Sequence, residues 1–93
     1  MIDHDYKLQC IADLNKLIEN VTAQATAAKL KAVFYDKERA NTEIFMPEGP
    51  DKLEALNHFE AQARGARVAA ARANELIKLH CTEVKELQNM VEN

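Results

Sequence analysis

Arginines in the second half of the chain are the side chains best suited to bind a ligand. Arg64 and Arg67 are three positions apart and share one face of a helix, and Arg72 follows. A guanidinium group offers a fork of N–H donors for phosphate oxygens and a flat surface on which a base can stack. Gly65 and Ala66 would leave room for a ligand or another backbone. We expect a compact anionic ligand here. Arg67 would contact its phosphate or base, Gly65 and Ala66 would form the floor, and Arg64 would contribute less.

Ordinary surface ion pairs are the competing explanation for these arginines. Glu60 lies four residues before Arg64, and Glu75 lies three residues after Arg72, so both arginines have partners along a solvated helix face. Gly65 favours a functional role, because glycine in a helix interior costs about 0.5–1 kcal/mol relative to alanine and needs a reason. Close helix packing would be one reason, and room for a base or ribose would be another.

The first half of the chain supplies weaker candidates. Tyr6 and Lys7 lie outside the best part of the apolar pattern, so they are free to complete a pocket with a neighbouring subunit. They could equally be a half-exposed chain end. Lys29 is a further candidate for the ligand site, whereas the place of Tyr35 in the apolar pattern favours a role in the core over stacking on a base.

No residue pattern indicates catalysis. The sequence has no Gly-rich phosphate loop, no His-Glu-x-x-His pair and no nucleophile elbow, so we expect a protein that is not an enzyme and has no cofactor. Cys10, His80 and Cys81, with His4 toward the same end, are the candidate metal ligands. Adjacent residues point about 100° apart on a helix and rarely share one tetrahedral site. We therefore favour a histidine within the apolar pattern and two reduced, mostly buried thiols.

Two helices must position these groups. A chain of 93 residues with two glycines, two prolines and no tryptophan predicts one all-α domain. Pro47, Gly49 and Pro50 interrupt it, which predicts a first arm over about 2–40, a loop over about 41–50 and a second arm over about 51–92. A kink near Asn20 or Thr22, or a short separate helical piece at the start, stays open.

Each arm carries apolar residues at alternating spacings of three and four, the heptad pattern of packed helices. Folding the chain back at the loop sets large residues against large ones and alanine against alanine. The expected pairs are Tyr35 with Phe59, Ala28 with Ala66, Ile18 with Ile77, and Ile11 with Val84. This match predicts an antiparallel helical hairpin.

The hairpin leaves apolar residues outside its seam. These are Leu17, Leu30, Phe34, Leu53, Val68, Leu76 and Leu79. A single layer of two helices seldom buries enough apolar surface to offset the loss of about 1–2 kcal/mol of backbone entropy per residue. We therefore expect a homo-oligomeric helical bundle. A dimeric four-helix bundle and a higher ring are both compatible with the pattern.

Charge and hydropathy limit the partners. Twelve basic and fifteen acidic side chains give a net charge of −3, and the two signs are interleaved along both arms, which argues against duplex nucleic acid. No apolar run reaches the roughly 18–20 residues of a membrane span, and the first ten residues lack the pattern of a signal peptide. We expect a soluble, cytoplasmic protein.

The stretch Met46 to Glu75 resembles a known family. Its matching features are the proline-containing loop, Ala55, Leu56, the Phe59-Glu60 pair, Ala66, Ala69, Ala71 and Arg72. They resemble the helical hairpin of phage proteins that sequester the cyclic oligonucleotide messengers of CBASS antiphage immunity. Where that family tends to have an aromatic residue and an asparagine, this chain has Gly65 and Arg67.

The resemblance implies a function without bond breakage. It implies a homo-oligomer, in that family a hexamer, whose interface pockets hold cyclic dinucleotides such as cyclic GMP-AMP, and in some members cyclic trinucleotides. Messenger held in this way cannot activate the CBASS effectors of the infected cell. Two other hypotheses stay open: a small helical inhibitor or adaptor that docks on a host protein, and a purely structural assembly subunit.

Overall fold

Two long antiparallel helices account for almost all of the described chain. The computed structural model describes residues 4–92, with α1 over His4–Phe45 and α2 over Pro50–Glu92. The helices pack along their length into one body of 69 × 14 × 13 Å. The prediction of an all-α hairpin is confirmed, and assembly into an oligomer stays a prediction. The expected start of the first arm near residue 2 lies outside the described residues.

The first helix is continuous through the positions where a kink was considered. Its hydrogen-bonded turns include both Asn20 and Thr22, and no separate piece precedes it within residues 4–45. The Thr22 hydroxyl donates to the Ile18 carbonyl oxygen at 2.7 Å, and the Thr26 hydroxyl donates to the Thr22 carbonyl at 3.1 Å. These bonds satisfy the threonine hydroxyls inside the helix, which explains how the helix tolerates them.

The loop is shorter than the sequence indicated, because α1 continues five residues beyond the expected boundary at 40. The helix ends just before Pro47, whose ring disfavours a helical conformation for Met46. The Met46 N–H still donates to the Thr42 carbonyl at 3.0 Å. Gly49 has a φ of +154°, which other residues rarely adopt, and its carbonyl accepts the Leu53 N–H at 3.2 Å.

Small residues fill the seam between the helices. The buried apolar residues are Val21, Ala25, Ala32, Ala63, Ala66, Ala70, Ala73 and Val84. Ile77 packs against Val21, Ala25 and Ala73, and the Tyr35 and Phe59 rings lie 6.1 Å apart. The aromatic pair confirms the expected register near the loop. No large side chain is fully buried in the described chain, so the core is thin.

Much of the apolar surface is therefore exposed. All seven residues that the sequence placed off the seam have exposed side chains, and Val33, Ile44 and Phe45 are exposed as well. Phe45 reaches 79% exposure at the loop end. Neither helix of the described residues is long and apolar enough to cross a membrane.

Candidate functional site

Arg67 is held against the opposite helix by Asp36. Its Nη1 donates to both carboxylate oxygens of Asp36, at 3.2 Å to Oδ1 and 3.0 Å to Oδ2. The two side chains are 54% and 52% exposed, so the ion pair lies at the rim of the seam. Side chains lean toward the N-terminus of their own helix, and in an antiparallel pair this lean brings the two groups together.

Arg64 lies one turn before Arg67 and is more exposed. Its Nη2 lies 3.4 Å from Glu60 Oε1, and its side chain is 70% exposed. This ion pair is the one expected from the sequence. The expected pair between Arg72 and Glu75 does not form among the described residues, where Glu75 instead lies 3.9 Å from the Lys78 ammonium. Arg64 is thus a weakly restrained cation beside the more firmly held Arg67.

The two small residues of the predicted floor lie on different sides of α2. Ala66 is buried at 7% exposure in the seam against α1, so a ligand on the surface of the hairpin does not reach it. Gly65 is exposed, and an added Cβ would meet nothing within 4 Å. Residues two apart do not share a helix face, so Gly65 points away from Arg67. The structure therefore does not place the floor and the arginines on one surface of a single hairpin.

Lys29 is the first-arm candidate nearest to the arginines. It lies seven residues before Asp36, on the same side of α1 and about 10 Å along the helix. In the register set by Tyr35 and Phe59, this position is level with Gly65, between Arg64 and Arg67. Its side chain is exposed. Arg64, Arg67 and Lys29 therefore border one side of the hairpin at one level. We call these three residues, with Asp36 that binds Arg67, the cationic surface.

Tyr6 and Lys7 lie at the other end of the molecule. Thirty residues separate Tyr6 from Asp36, which is about 45 Å along α1 at 1.5 Å per residue. Tyr6 is 62% exposed, whereas Lys7 is half-buried and continues the seam spacing beyond the range expected from the sequence. Neither residue can join the cationic surface of its own chain. A shared site requires a second copy.

Tyr35 occupies the core position that the apolar pattern favoured. Its ring lies 5.2 Å from Phe34 in an edge-to-face contact and 6.1 Å from Phe59. These contacts hold the ring between aromatic neighbours and leave it half-buried. Stacking on a base would require it to leave that packing.

The metal candidates do not form a cluster. Cys10 and Cys81 are free and half-buried, and no three His, Cys, Asp or Glu side chains come together within residues 4–92. His80 is partly buried in the seam, and its Nδ1 lies 3.6 Å from Glu83 Oε1 without a hydrogen bond. The described chain thus provides no ready metal site.

Open hollows border the helices of the described residues. One of about 400 Å³ is lined by Asp36, Arg39, Ala40, Glu43 and Ile44 on α1 alone. Its two carboxylates outnumber its one guanidinium, which disfavours an anion there. Another, of about 320 Å³, lies at the free end between Leu8, Ile11, Gln88 and Val91.

Sequence reasoning missed Asp36, which decides the electrostatics of Arg67. The signal was present: Asp36 directly follows the seam residue Tyr35, as Arg67 directly follows Ala66. In an antiparallel pair, positions that follow the seam in this way lie on the same side of both helices.

Comparison with models of protein families, with curated proteins and with solved structures finds no match to this chain.

Proposed function

We propose that this protein is a non-catalytic phage protein that binds and sequesters cyclic oligonucleotide messengers. The ligands would be cyclic dinucleotides such as cyclic GMP-AMP, and cyclic trinucleotides. Binding in the cytoplasm of the infected bacterium would keep the messenger from CBASS effectors. The protein would act as a homo-oligomer, six copies if it follows the family that Met46–Glu75 resembles, with pockets between subunits.

The observation that carries this proposal is the pair Arg64 and Arg67. Both guanidinium groups are more than half exposed and lie one turn apart, and Lys29 is at the same level. Two phosphates of a small cyclic nucleotide offer charges for such a pair at close spacing. A long duplex would need a basic stripe, and the cationic surface is only one local group of charges.

Asp36 limits but does not block phosphate binding by Arg67. A guanidinium has five N–H donors, and Asp36 is bound through Nη1 alone. The nitrogens Nε and Nη2 are left for a phosphate or a base. The Asp36 contact also holds the side chain in one orientation, which lowers the entropy lost when a ligand binds.

Gly65 and Ala66 would contribute to ligand binding indirectly, through helix packing. Ala66 keeps α2 close to α1, and Gly65 keeps the outer side of α2 slim, so that a second copy can approach the same level of the hairpin. Tyr6 and Lys7 would come from that neighbouring copy, because even Lys29, the nearest residue of the cationic surface in their own chain, lies about 33 Å or more away along α1.

The test is calorimetric titration of the purified protein with cyclic di- and trinucleotides, with the mass of the same sample measured in solution. We expect saturable binding at a fixed ratio per subunit and recovery of intact ligand after the protein is denatured. Hydrolysed ligand would point to an enzyme. Absence of heat across the panel at micromolar protein, together with no binding in an equilibrium assay, would rule out these ligands.

Arg67→Glu tests the residue that matters most. Reversal of its charge places a carboxylate beside Asp36 and should weaken ligand binding at least tenfold, since charge-assisted contacts to phosphate contribute about 1.5–3 kcal/mol. Lys85→Glu is the matched control, with the same change in net charge at an exposed position near the other end of α2. Circular dichroism and mass should match the wild type for both variants. Equal affinities of the two variants would remove Arg67 from the site.

The loop end supports a second candidate function, a helical inhibitor or adaptor that docks on a host protein. Ile44, Phe45 and Leu53 are 71%, 79% and 61% exposed around the turn. Exposed apolar groups of this kind suit a protein groove better than a nucleotide. This candidate predicts that Phe45→Ser abolishes capture of a host protein, whereas the nucleotide proposal predicts unchanged ligand affinity for that variant.

A further inference from the structure

The outer faces of the two helices have complementary shapes. On α2, the side away from α1 carries Ala61, Gly65, Val68 and Arg72 at spacings of four, three and four, and we call these residues the α2 outer stripe. On α1, the corresponding side carries Ala23, Ala27, Leu30 and Phe34, the α1 outer stripe. All eight residues are exposed, and Leu30 and Phe34 are 66% and 56% exposed.

The hairpin exposes more solvent-accessible surface than a compact monomer of the same mass would. Its solvent-accessible area is 7001 Å², whereas a compact monomer of 10.5 kDa has about 5,400 Å² by the usual scaling of area with mass. The excess is about 1,600 Å² per chain. A stable interface buries about 800 Å² on each partner, so the excess corresponds to two such faces on each copy.

Residues of the two outer stripes match in their position along the helix axis as well as in size. Tyr35 faces Phe59 across the seam, which fixes the level of every residue on one helix relative to the other. If a second hairpin lies beside the first without axial displacement, the same levels apply between copies. Phe34 then meets Ala61, Leu30 meets Gly65, and Ala27 meets Val68, each to within one residue, or about 1.5 Å along the axis. Each pair sets a large side chain against a small one.

We propose that copies of this chain associate side by side, with Leu30 and Phe34 of one copy packed on the α2 outer stripe at Gly65 of the next. The contact is heterologous, since each copy uses one stripe on either side, and it closes into a ring when the rotation between neighbours permits. Gly65 is the point of closest approach, because no side chain there separates the two helices. This inference does not depend on nucleotide binding.

A twofold contact between two α1 outer stripes fits less well. It would bring Leu30 and Phe34 of both copies together and leave the surface at Gly65 unused. The open space around Gly65 would then have no structural purpose, although glycine lowers helix stability at that position.

The first test is the mass in solution of Gly65→Leu compared with the wild type and with Ala71→Leu. A leucine at position 65 fits the single hairpin, where an added Cβ meets nothing within 4 Å, and Ala71 is an exposed α2 residue off the outer stripe. By sedimentation equilibrium, we expect the wild type and Ala71→Leu to form multiples of 10.5 kDa. The dissociation constant of the Gly65→Leu assembly should be at least tenfold higher than that of the wild type. A monomeric wild type, or a Gly65→Leu protein that assembles as the wild type does, would overturn the proposal.

The second test determines which faces meet and does not depend on Gly65→Leu. In a background of Cys10→Ser and Cys81→Ser, one protein carries Leu30→Cys and another carries Gly65→Cys. After co-refolding and mild oxidation, the proposal predicts a disulfide that joins the two different proteins. Within one hairpin these positions lie on outward faces and cannot pair. Cross-links only between like proteins, or none above the level of a mixture carrying Lys85→Cys, would contradict the register.

Discussion

Removal of the Asp36 charge should strengthen anion binding at Arg67. Asp36→Asn keeps the size of the side chain and one oxygen acceptor, and it removes a negative charge that lies 3.0 Å from Arg67 Nη1. A phosphate on the free side of the guanidinium would lie on the order of 7 Å from Asp36, the sum of two hydrogen-bond lengths and the width of the group.

The size of the effect follows from that separation. Two unit charges 7 Å apart repel by about 0.6 kcal/mol in bulk water and by about 2.4 kcal/mol at an effective dielectric constant of 20. The Arg67 and Asp36 side chains are 54% and 52% exposed, so the lower half of this range applies. We expect the Kd for a cyclic dinucleotide to fall about three- to tenfold in Asp36→Asn. Stability should change by less than about 1 kcal/mol, since the lost ion pair is solvated.

The assay is calorimetry at about 0.05 M and 0.5 M salt, because screening should shrink the gain at the higher concentration. Glu19→Gln is the matched control, with the same charge change on exposed α1 surface about 25 Å from Asp36. An unchanged Kd for Asp36→Asn, or an equal gain in both variants, would refute a ligand contact at Arg67. A loss of affinity would mean that Asp36 itself binds or orients the ligand.

Two further predictions concern stability, each measured by thermal unfolding at one protein concentration. Ala63 is fully buried between the helices, so Ala63→Leu should overpack the seam. The free energy of unfolding should fall by about 1–3 kcal/mol and Tm by at least about 5 °C. An unchanged Tm would mean that the helices separate easily. Lys52 is buried and bound to Glu48 at 2.7 Å, so Glu48→Gln should cost about 1 kcal/mol by weakening that contact. Lys52→Met should leave Tm unchanged or raised, because it removes the buried charge as well; a Tm lower than that of Glu48→Gln would contradict this reasoning.

The hairpin register was predictable because it rests on side-chain size repeated along two helices. Tyr35 and Phe59 are the aromatic residues of the two apolar series, and alanines follow both with distance from the loop, so aligning the two rings sets large residues against large ones and alanine against alanine. The end of α1 was less predictable. Polar residues such as Asn41 and Thr42 resemble a loop in the sequence, yet nothing there prevents helix formation until Pro47.

The candidate site was only partly predictable, because a short sequence interval does not define one surface. Arg64, Gly65, Ala66 and Arg67 are consecutive, but a helix turns 100° per residue and distributes them over different sides. Spacing identified the arginines that share a face. The donation from Arg67 Nη1 to both Asp36 oxygens depends on the lean of two side chains that are 31 positions apart in the chain, and local spacing does not report it.

The thinnest level of the hairpin is also where its outer apolar residues and its cationic surface lie. Ala63 and Ala66 keep the helices close there and provide little burial, while Leu30 and Gly65 face outward at the same level. A second copy that packs at Gly65 would lie against the outer side of α2, the helix that carries Arg64 and Arg67. Because a ligand bound between copies stabilises only the assembled state, ligand binding and assembly would strengthen each other. The hairpin thus gains little stability from its own seam, and assembly at this level would supply both the missing burial and the second wall of a ligand pocket.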